Sequence, residues 1–168
     1  CKEFGIEKVI HVSSSEVYGT AVKVPIKEDH PLQAQSPYSA SKIAADKLAE
    51  SFYLSFDLPV AIARPFNTFG PRQSARAIIP TIITQALVEK KIVIGNDKPV
   101  RDFNYVANTV DALIETMKSD KSVGEAINFG SGVETSIRDL VNKIKSLLHK
   151  DIKVIQDKER FRPDNSEV

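Results

Sequence analysis

Apolar residues along the chain come in two rhythms, short continuous runs and longer stretches with a helical repeat. From Ser36-Pro37 to about Phe56 the chain is alanine-rich, poor in β-branched residues and has proline near its start, which predicts a helix. Tyr38, Lys42, Ala45, Ala49 and Phe52 fall on one stripe of it. Before it lies the strand-like run Lys8 to Val12. After it, Leu58 to Ala63, bounded by Asp57 and Arg64-Pro65, reads as a buried strand. Further helices are predicted from Ile78 or Pro80 to Lys90, from Val106 or Asn108 to Lys118, and from Ser136 to about Leu148. The last has Ser136 as its N-cap and Ile137, Leu140, Val141, Ile144, Leu147 and Leu148 as its apolar face. The short runs Lys91 to Ile94, Ala126 to Phe129 and Ile152 to Ile155 lie between these helices. Strands alternating with helices predict an α/β fold built on parallel strands.

Composition narrows the function classes. At 168 residues and 42% hydrophobic, the chain can bury one sizeable core. Its net charge is +1, with Lys and Arg scattered, so no basic patch points to nucleic acid or a membrane surface, and small-molecule partners are expected. The single cysteine, Cys1, cannot form an intramolecular disulfide, and no signal pattern or long apolar run appears, which points to a cytoplasmic protein. No metal site is expected. The chain opens with Cys1-Lys2 almost directly before a strand and stops at Glu167-Val168 without a helix stop, so it reads as part of a longer polypeptide.

Two clusters could carry chemistry. Ser13-Ser14-Ser15-Glu16, followed by Val17-Tyr18-Gly19, comes directly after the run Val9 to Val12. In an open parallel sheet the carboxyl ends of the strands face the ligand crevice, so these hydroxyls and the carboxylate would point at a substrate. The second cluster is Tyr38-Ser39-Ala40-Ser41-Lys42, which on a helix sets a phenol and an ammonium at i and i+4 on one face. A cation beside a phenol favours the phenolate and makes a usable proton acceptor. Taken singly, the first cluster reads as a polar turn after a strand, and Tyr-x-x-x-Lys is a spacing that also arises by chance.

Ser-Ser-Ser-Glu-Val-Tyr-Gly, Tyr-Ser-Ala-Ser-Lys, Arg64-Pro-Phe-Asn-Thr-Phe-Gly-Pro-Arg72 and Arg101-Asp-Phe-Asn-Tyr-Val106, in this order, resemble the extended short-chain dehydrogenase/reductases acting on nucleotide sugars. The stretch Gln73 to Gln85, with Arg160-Phe-Arg-Pro163, is most similar to dehydratases of the legionaminic-acid pathway. The resemblance implies an α/β fold, the carboxyl-terminal part of a Rossmann-type parallel sheet with a smaller α/β substrate-binding domain. Residues 1–71 would be Rossmann, 72–98 a substrate-domain segment, 99–119 a return to the Rossmann domain, and 120–168 a truncated substrate domain. It also implies NAD as a tightly bound, recycled cofactor, a nucleotide-sugar substrate and a homodimer. Ile43, Leu48 and Phe52 are the candidates for burial between subunits.

The same resemblance assigns roles. Tyr38 would take the proton of the sugar 4-hydroxyl, Lys42 would hold the nicotinamide ribose, and Ser14 would hydrogen-bond the same hydroxyl. Ser13 and Pro65 would lie near the cofactor. Asn67, Arg72, Arg101 and Arg162 match positions that bind the substrate's diphosphate or nucleotide, a role suited to forked guanidinium bonds. Glu16 discriminates between reactions, because a 4-keto sugar has an acidified C5 hydrogen that a carboxylate can remove, with elimination of the C6 hydroxyl. That favours a 4,6-dehydratase over a 4-epimerase. UDP-glucuronate decarboxylases share the Ser-Glu-Val-Tyr-Gly type of turn but commonly have an acidic, Gly-containing spacer between Tyr and Lys, unlike Ser39-Ala40-Ser41. Many glucose-type dehydratases have an aspartate where Ser15 stands, to protonate the leaving hydroxyl. A serine there is similar to the GDP-mannose and legionaminic-pathway dehydratases, where Glu16 would serve as both base and acid, and Ser15 is kept with Glu16 among the catalytic candidates. The chain has no Gly-x-Gly-x-x-Gly, and Gly130-Ser131-Gly132 lacks the third glycine. The turn that cradles a dinucleotide pyrophosphate is therefore expected in sequence outside these residues. The alternative of a different class is a non-catalytic nucleotide-binding or interaction fragment.

Overall fold

Local chemistry sets where the first long helix starts. In the computed structural model, which describes residues 1–89 and 91–160, the Ser36 side chain accepts from the Ser39 amide and the Ser39 hydroxyl accepts from the Ser36 amide, each at 3.0 Å. This capping box, with Pro37 behind it, opens α1 (Pro37–Phe56). Asp57, in the left-handed region at φ 52°, ends it. α1 is the crossover between β1 (Val9–Val12) and β2 (Val60–Pro65), which pair in parallel. β3 (Asn67–Phe69) follows directly.

Beyond it come α2 (Ile78–Val88), β4 (Lys91–Ile94), β5 (Val100–Tyr105) and α3 (Val106–Lys118). β6 (Ala126–Phe129), β7 (Glu134–Ser136), α4 (Ile137–Leu147) and β8 (Lys153–Gln156) complete the described chain. β1, β2 and β6 form one parallel sheet in that order. The strand Ala126–Phe129 thus joins the first sheet although it lies beyond the expected boundary at residue 120.

β2 is central and buried along Val60–Arg64, so both its faces are covered. Val60, Ile62 and Arg64 lie with Asp46 and Tyr53 of α1 around one shallow cavity. Ala61 and Ala63 therefore point to the opposite face, where α3 packs on the same sheet.

A second sheet runs β3-β5-β7, with β3 and β5 parallel and β5 and β7 antiparallel. The expectation of parallel strands holds for β1, β2, β6 and for β4 with β8, and fails at this antiparallel pair. The third layer is apolar. Ile82 and Ala86 of α2, Ile92 and Ile94 of β4, Ile137, Val141 and Ile144 of α4, and Ile152 make a buried cluster. α4 begins where expected, the Ser136 side chain accepting from the Asp139 amide at 3.0 Å. Pro80 stands in the first turn of α2, where a missing amide proton breaks no helical bond. Within α1 the buried residues are Ser39 and Asp46, and Phe52 is 39% exposed.

Candidate functional site

Because β1, β2 and β6 are parallel, the segments that follow them emerge at one edge of the sheet. After β1 the Ser13 amide still pairs with Ala63 at 2.7 Å, and its buried hydroxyl has no hydrogen-bond partner among the described residues. Ser14 is extended, and its hydroxyl oxygen accepts from the Glu16 amide at 3.2 Å, capping the single turn Ser15–Tyr18. Accepting in this way leaves the Ser14 proton free to donate. Ser15 is buried and Glu16 half-buried. Gly19 closes the turn at φ 61°, where a Cβ would lie 2.9 Å from that of Gln33.

The first turns of α1 return to the same edge. Lys42 Nζ donates to the Val12 carbonyl at 3.0 Å and stands 5.9 Å from the centre of the Tyr38 ring. Tyr38 is 52% exposed, so its phenol is open to a ligand. The phenol–ammonium pair and the Ser13–Glu16 segment, twenty and more residues apart in sequence, are thus tied at one strand end.

Pro65 ends β2 opposite Phe129 of β6, and Asn67 opens β3 opposite Phe103 of β5. Arg101 lies on β5, half-buried, with one guanidinium nitrogen donating to the Val100 carbonyl at 2.8 Å. Arg72 is exposed at φ 69° after Gly70-Pro71. Arg162 lies outside the described residues. Asp102, beside Arg101, accepts from the Ser131 amide and hydroxyl at 2.9 and 2.6 Å and from the Gly132 amide at 2.8 Å. Its carboxylate binds the loop after β6 so closely that a Cβ at Gly130 would meet it at 2.7 Å.

Beneath the site lies a buried polar network that the motif reading passed over. Asp46 of α1 accepts from Arg64 Nε at 3.1 Å with one oxygen, and its other oxygen lies 3.1 Å from His11 Nε2 on β1. Arg64 Nη1 donates to the Tyr18 hydroxyl at 2.9 Å, and that hydroxyl donates to Asn128 on β6 at 2.7 Å. Burial pushes the Tyr18 phenol above its ordinary range, against the hydrogen bond and charge of Arg64. The sequence offers only that Asp46 follows Lys42 by four residues; helical spacing does not say that this charge is buried and so requires a partner. Among the described residues, no group of three or more His, Cys, Asp or Glu could hold a metal ion, and no helix is long and apolar enough to cross a membrane.

The family model described as GDP-mannose 4,6 dehydratase matches residues 1–168. The chain belongs to this family. Its relatives are nucleotide-sugar dehydratases and epimerases of the extended short-chain dehydrogenase/reductases. It is 38% identical over 140 residues to a low-salt glycan biosynthesis protein of Haloferax volcanii, covering 83% of this chain and 45% of that protein. To the dTDP-D-glucose 4,6-dehydratase of Homo sapiens it is 33% identical over 147 residues, covering 87% of this chain and 42% of the enzyme. The chain therefore spans less than half the length of these relatives. Among solved structures it is similar to the Bacillus anthracis dTDP-glucose 4,6-dehydratase in complex with NAD. There the TM-score is 0.82 at 35% identity, covering 89% of this chain and 50% of that one. It is also similar to the Bacillus cereus UDP-glucuronic acid 4-epimerase in complex with UDP-glucuronic acid and NAD, with a TM-score of 0.87 at 29% identity, covering 94% and 51%.

Proposed function

We propose that the whole protein is an NAD-dependent nucleotide-sugar 4,6-dehydratase and that this chain supplies its acid–base groups. The observation that carries the reading is the Lys42 ammonium bound to the Val12 carbonyl, which brings the Tyr38–Lys42 pair to the strand end that bears Ser14 and Glu16. Glu16 supports dehydration over simple epimerisation, because elimination needs a base for the C5 hydrogen.

In this reading Tyr38 takes the proton of the 4-hydroxyl while Ser14 donates a hydrogen bond to the same oxygen. Glu16 removes the C5 proton of the resulting 4-keto sugar and passes it to the C6 hydroxyl, which leaves as water, with Ser15 beside it. NAD, when bound, would supply the acceptor for the C4 hydride and its return to C6, with C5 taking a proton from solvent. The buried Ser13 hydroxyl, without a partner among the described residues, the exposed Tyr38 phenol and the Lys42 ammonium fit the nicotinamide and its ribose, with Pro65 alongside. The residues for the pyrophosphate are not in this sequence, which has no Gly-x-Gly-x-x-Gly.

Asn67, Arg72, Arg101 and Arg162 are assigned to the nucleotide diphosphate. Residues 1–71 and 99–119, with the strand 126–129, are assigned to the cofactor domain, and residues 72–98 and the remainder after 120 to the substrate domain. The exposure of Leu48 and Phe52, at 61% and 39%, supports pairing of two copies through α1. The test is mass spectrometry of the whole protein's products with a panel of nucleotide sugars. A product lighter by one water is expected. A product of unchanged mass would favour the epimerase reading, and loss of carbon dioxide the decarboxylase reading.

A further inference from the structure

A 4,6-dehydratase must act on two neighbouring carbons with groups from two chain segments. Tyr38 comes from a helix and Glu16 from a strand-end turn, so their spacing is set by whatever joins those segments. Misplacing a reacting group by about 1 Å can lower a rate by about 10²-fold.

Besides the bond from Lys42 to the Val12 carbonyl, one buried group joins them. Tyr38, Lys42 and Asp46 follow each other at four-residue steps on the sheet-facing line of α1. Asp46 is 1% exposed, and one of its oxygens, Oδ2, accepts from Arg64 Nε at 3.1 Å and lies 3.1 Å from Nη2, while the other faces His11 at 3.1 Å, so the helix is held to two strands of the sheet at this point. On its other side the same guanidinium donates to the phenol of Tyr18 at 2.9 Å and lies 5.1 Å from the centre of its ring. Tyr18 is fully buried and ends the turn Ser15–Tyr18 that contains Glu16 and is capped by Ser14. Two opposite charges buried under a helix add little net stability compared with apolar side chains of the same shape, so an orienting role accounts for the network better than a stabilising one.

We propose that Arg64 is a positioning residue that sets the spacing between the Tyr38–Lys42 pair and Glu16, through Asp46 on the helix side and Tyr18 on the turn side. The proposal rests on the dehydratase reading. Its two arms separate in an experiment. Tyr18→Phe keeps the ring and its packing but cuts the link to the turn, and so loosens Glu16 alone. Asp46→Asn keeps the shape but weakens the link to the helix, and so loosens Tyr38.

The measurement is turnover by the whole protein on substrate deuterated at C4 or at C5, alongside its thermal midpoint. For Tyr18→Phe, turnover falls by about tenfold, the C5 isotope effect grows and the C4 effect shrinks towards one. For Asp46→Asn the partition reverses, the C4 effect growing. A merely structural network would lower the midpoint and leave the balance of the two isotope effects native. That result, or native turnover in Tyr18→Phe, overturns the proposal while the dehydratase reading stands. If the native protein itself yields no product lighter by one water, the dehydratase reading falls, and this proposal with it.

Discussion

The sheet of β1, β2 and β6 and the layer of α2, α4, β4 and β8 solve the same packing problem with different chemistry. Under α1 the sheet face holds Asp46, Arg64 and Tyr18, all buried and joined by hydrogen bonds. The other layer closes on isoleucines and valine, with Ile82 and Ile92 fully buried. Apolar burial is non-directional, whereas buried hydrogen-bonded charges constrain the geometry of their partners. The polar region lies under the proposed acid–base groups, where orientation matters. The apolar region supplies cohesion where it matters less. Substitutions in the two should therefore part activity from stability.

The largest effect is expected at Tyr38, which is half-exposed and so contributes little to packing. Tyr38→Phe in the whole protein should lower turnover by about 10²–10⁴-fold while leaving NAD affinity and the thermal midpoint nearly native. Steady-state kinetics and a cofactor titration check this, and near-native turnover would remove Tyr38 from its role.

Next comes the ion pair. Asp46→Ala leaves Arg64 charged and buried without its carboxylate, which should cost about 3–5 kcal/mol in denaturant unfolding. The double change Asp46→Leu with Arg64→Met should recover much of that stability while turnover stays low. Recovery of both would mean that the network serves cohesion after all.

The apolar layer should show the converse. Ile82 is 0% exposed at the centre of its cluster, so Ile82→Ala should cost about 2–5 kcal/mol by lost transfer energy and the cavity left behind. Turnover per folded molecule should stay close to native, measured below the shifted unfolding midpoint.

The same contrast explains what could be read in the sequence. α1, α3 and α4 were legible because helical periodicity is redundant over three or more turns and because Ser36 and Ser136 mark the starts of α1 and α4. β6 was legible as an apolar run. β5 was not, because Val-Arg-Asp-Phe-Asn-Tyr carries charges and amides within a strand. Two of these polar groups answer to local partners, since Asp102 binds the Ser131–Gly132 turn and Asn104 donates to Thr109 and Phe129. β3 and β7 are too short for any period to show. At the site, the Tyr38–Lys42 and Ser13–Glu16 segments were visible as motifs. The Asp46–Arg64–Tyr18 network was not, because helical spacing does not say which charge on a helix is buried; that depends on Arg64 arriving from another strand.

The two regions should also part in their response to pH. Burial raises the Tyr18 phenol, so in the unfolded chain it loses its proton first, and the stability it lends is present below the ordinary tyrosine range, near about 10, and lost as pH rises through the folded value. Tyr18→Phe should thus unfold more easily than the native protein at neutral pH, with the gap narrowing in alkali.

The smallest effect is expected at the rim of the apolar layer, where Arg138 Nε donates to Asp97 at 2.8 Å and the Arg138 amide to the Asp97 carbonyl at 3.0 Å, fastening the loop before β5 to the start of α4. The hydrogen bond from Arg138 holds the Asp97 carboxyl below its usual range, ahead of an opposing desolvation. A lowered carboxyl lends stability that is present above the unfolded value, about 3.9, and lost as pH falls through the folded one. Arg138 is exposed and the pair is screened by solvent, so the contribution is modest and should weaken further with salt. Asp97→Asn should therefore lower the thermal midpoint slightly at neutral pH, and its melting curve should converge with the native one in acid. A gap that persisted under strong acid would mean that Asp97 acts through its neutral hydrogen bonds to the loop rather than through its charge.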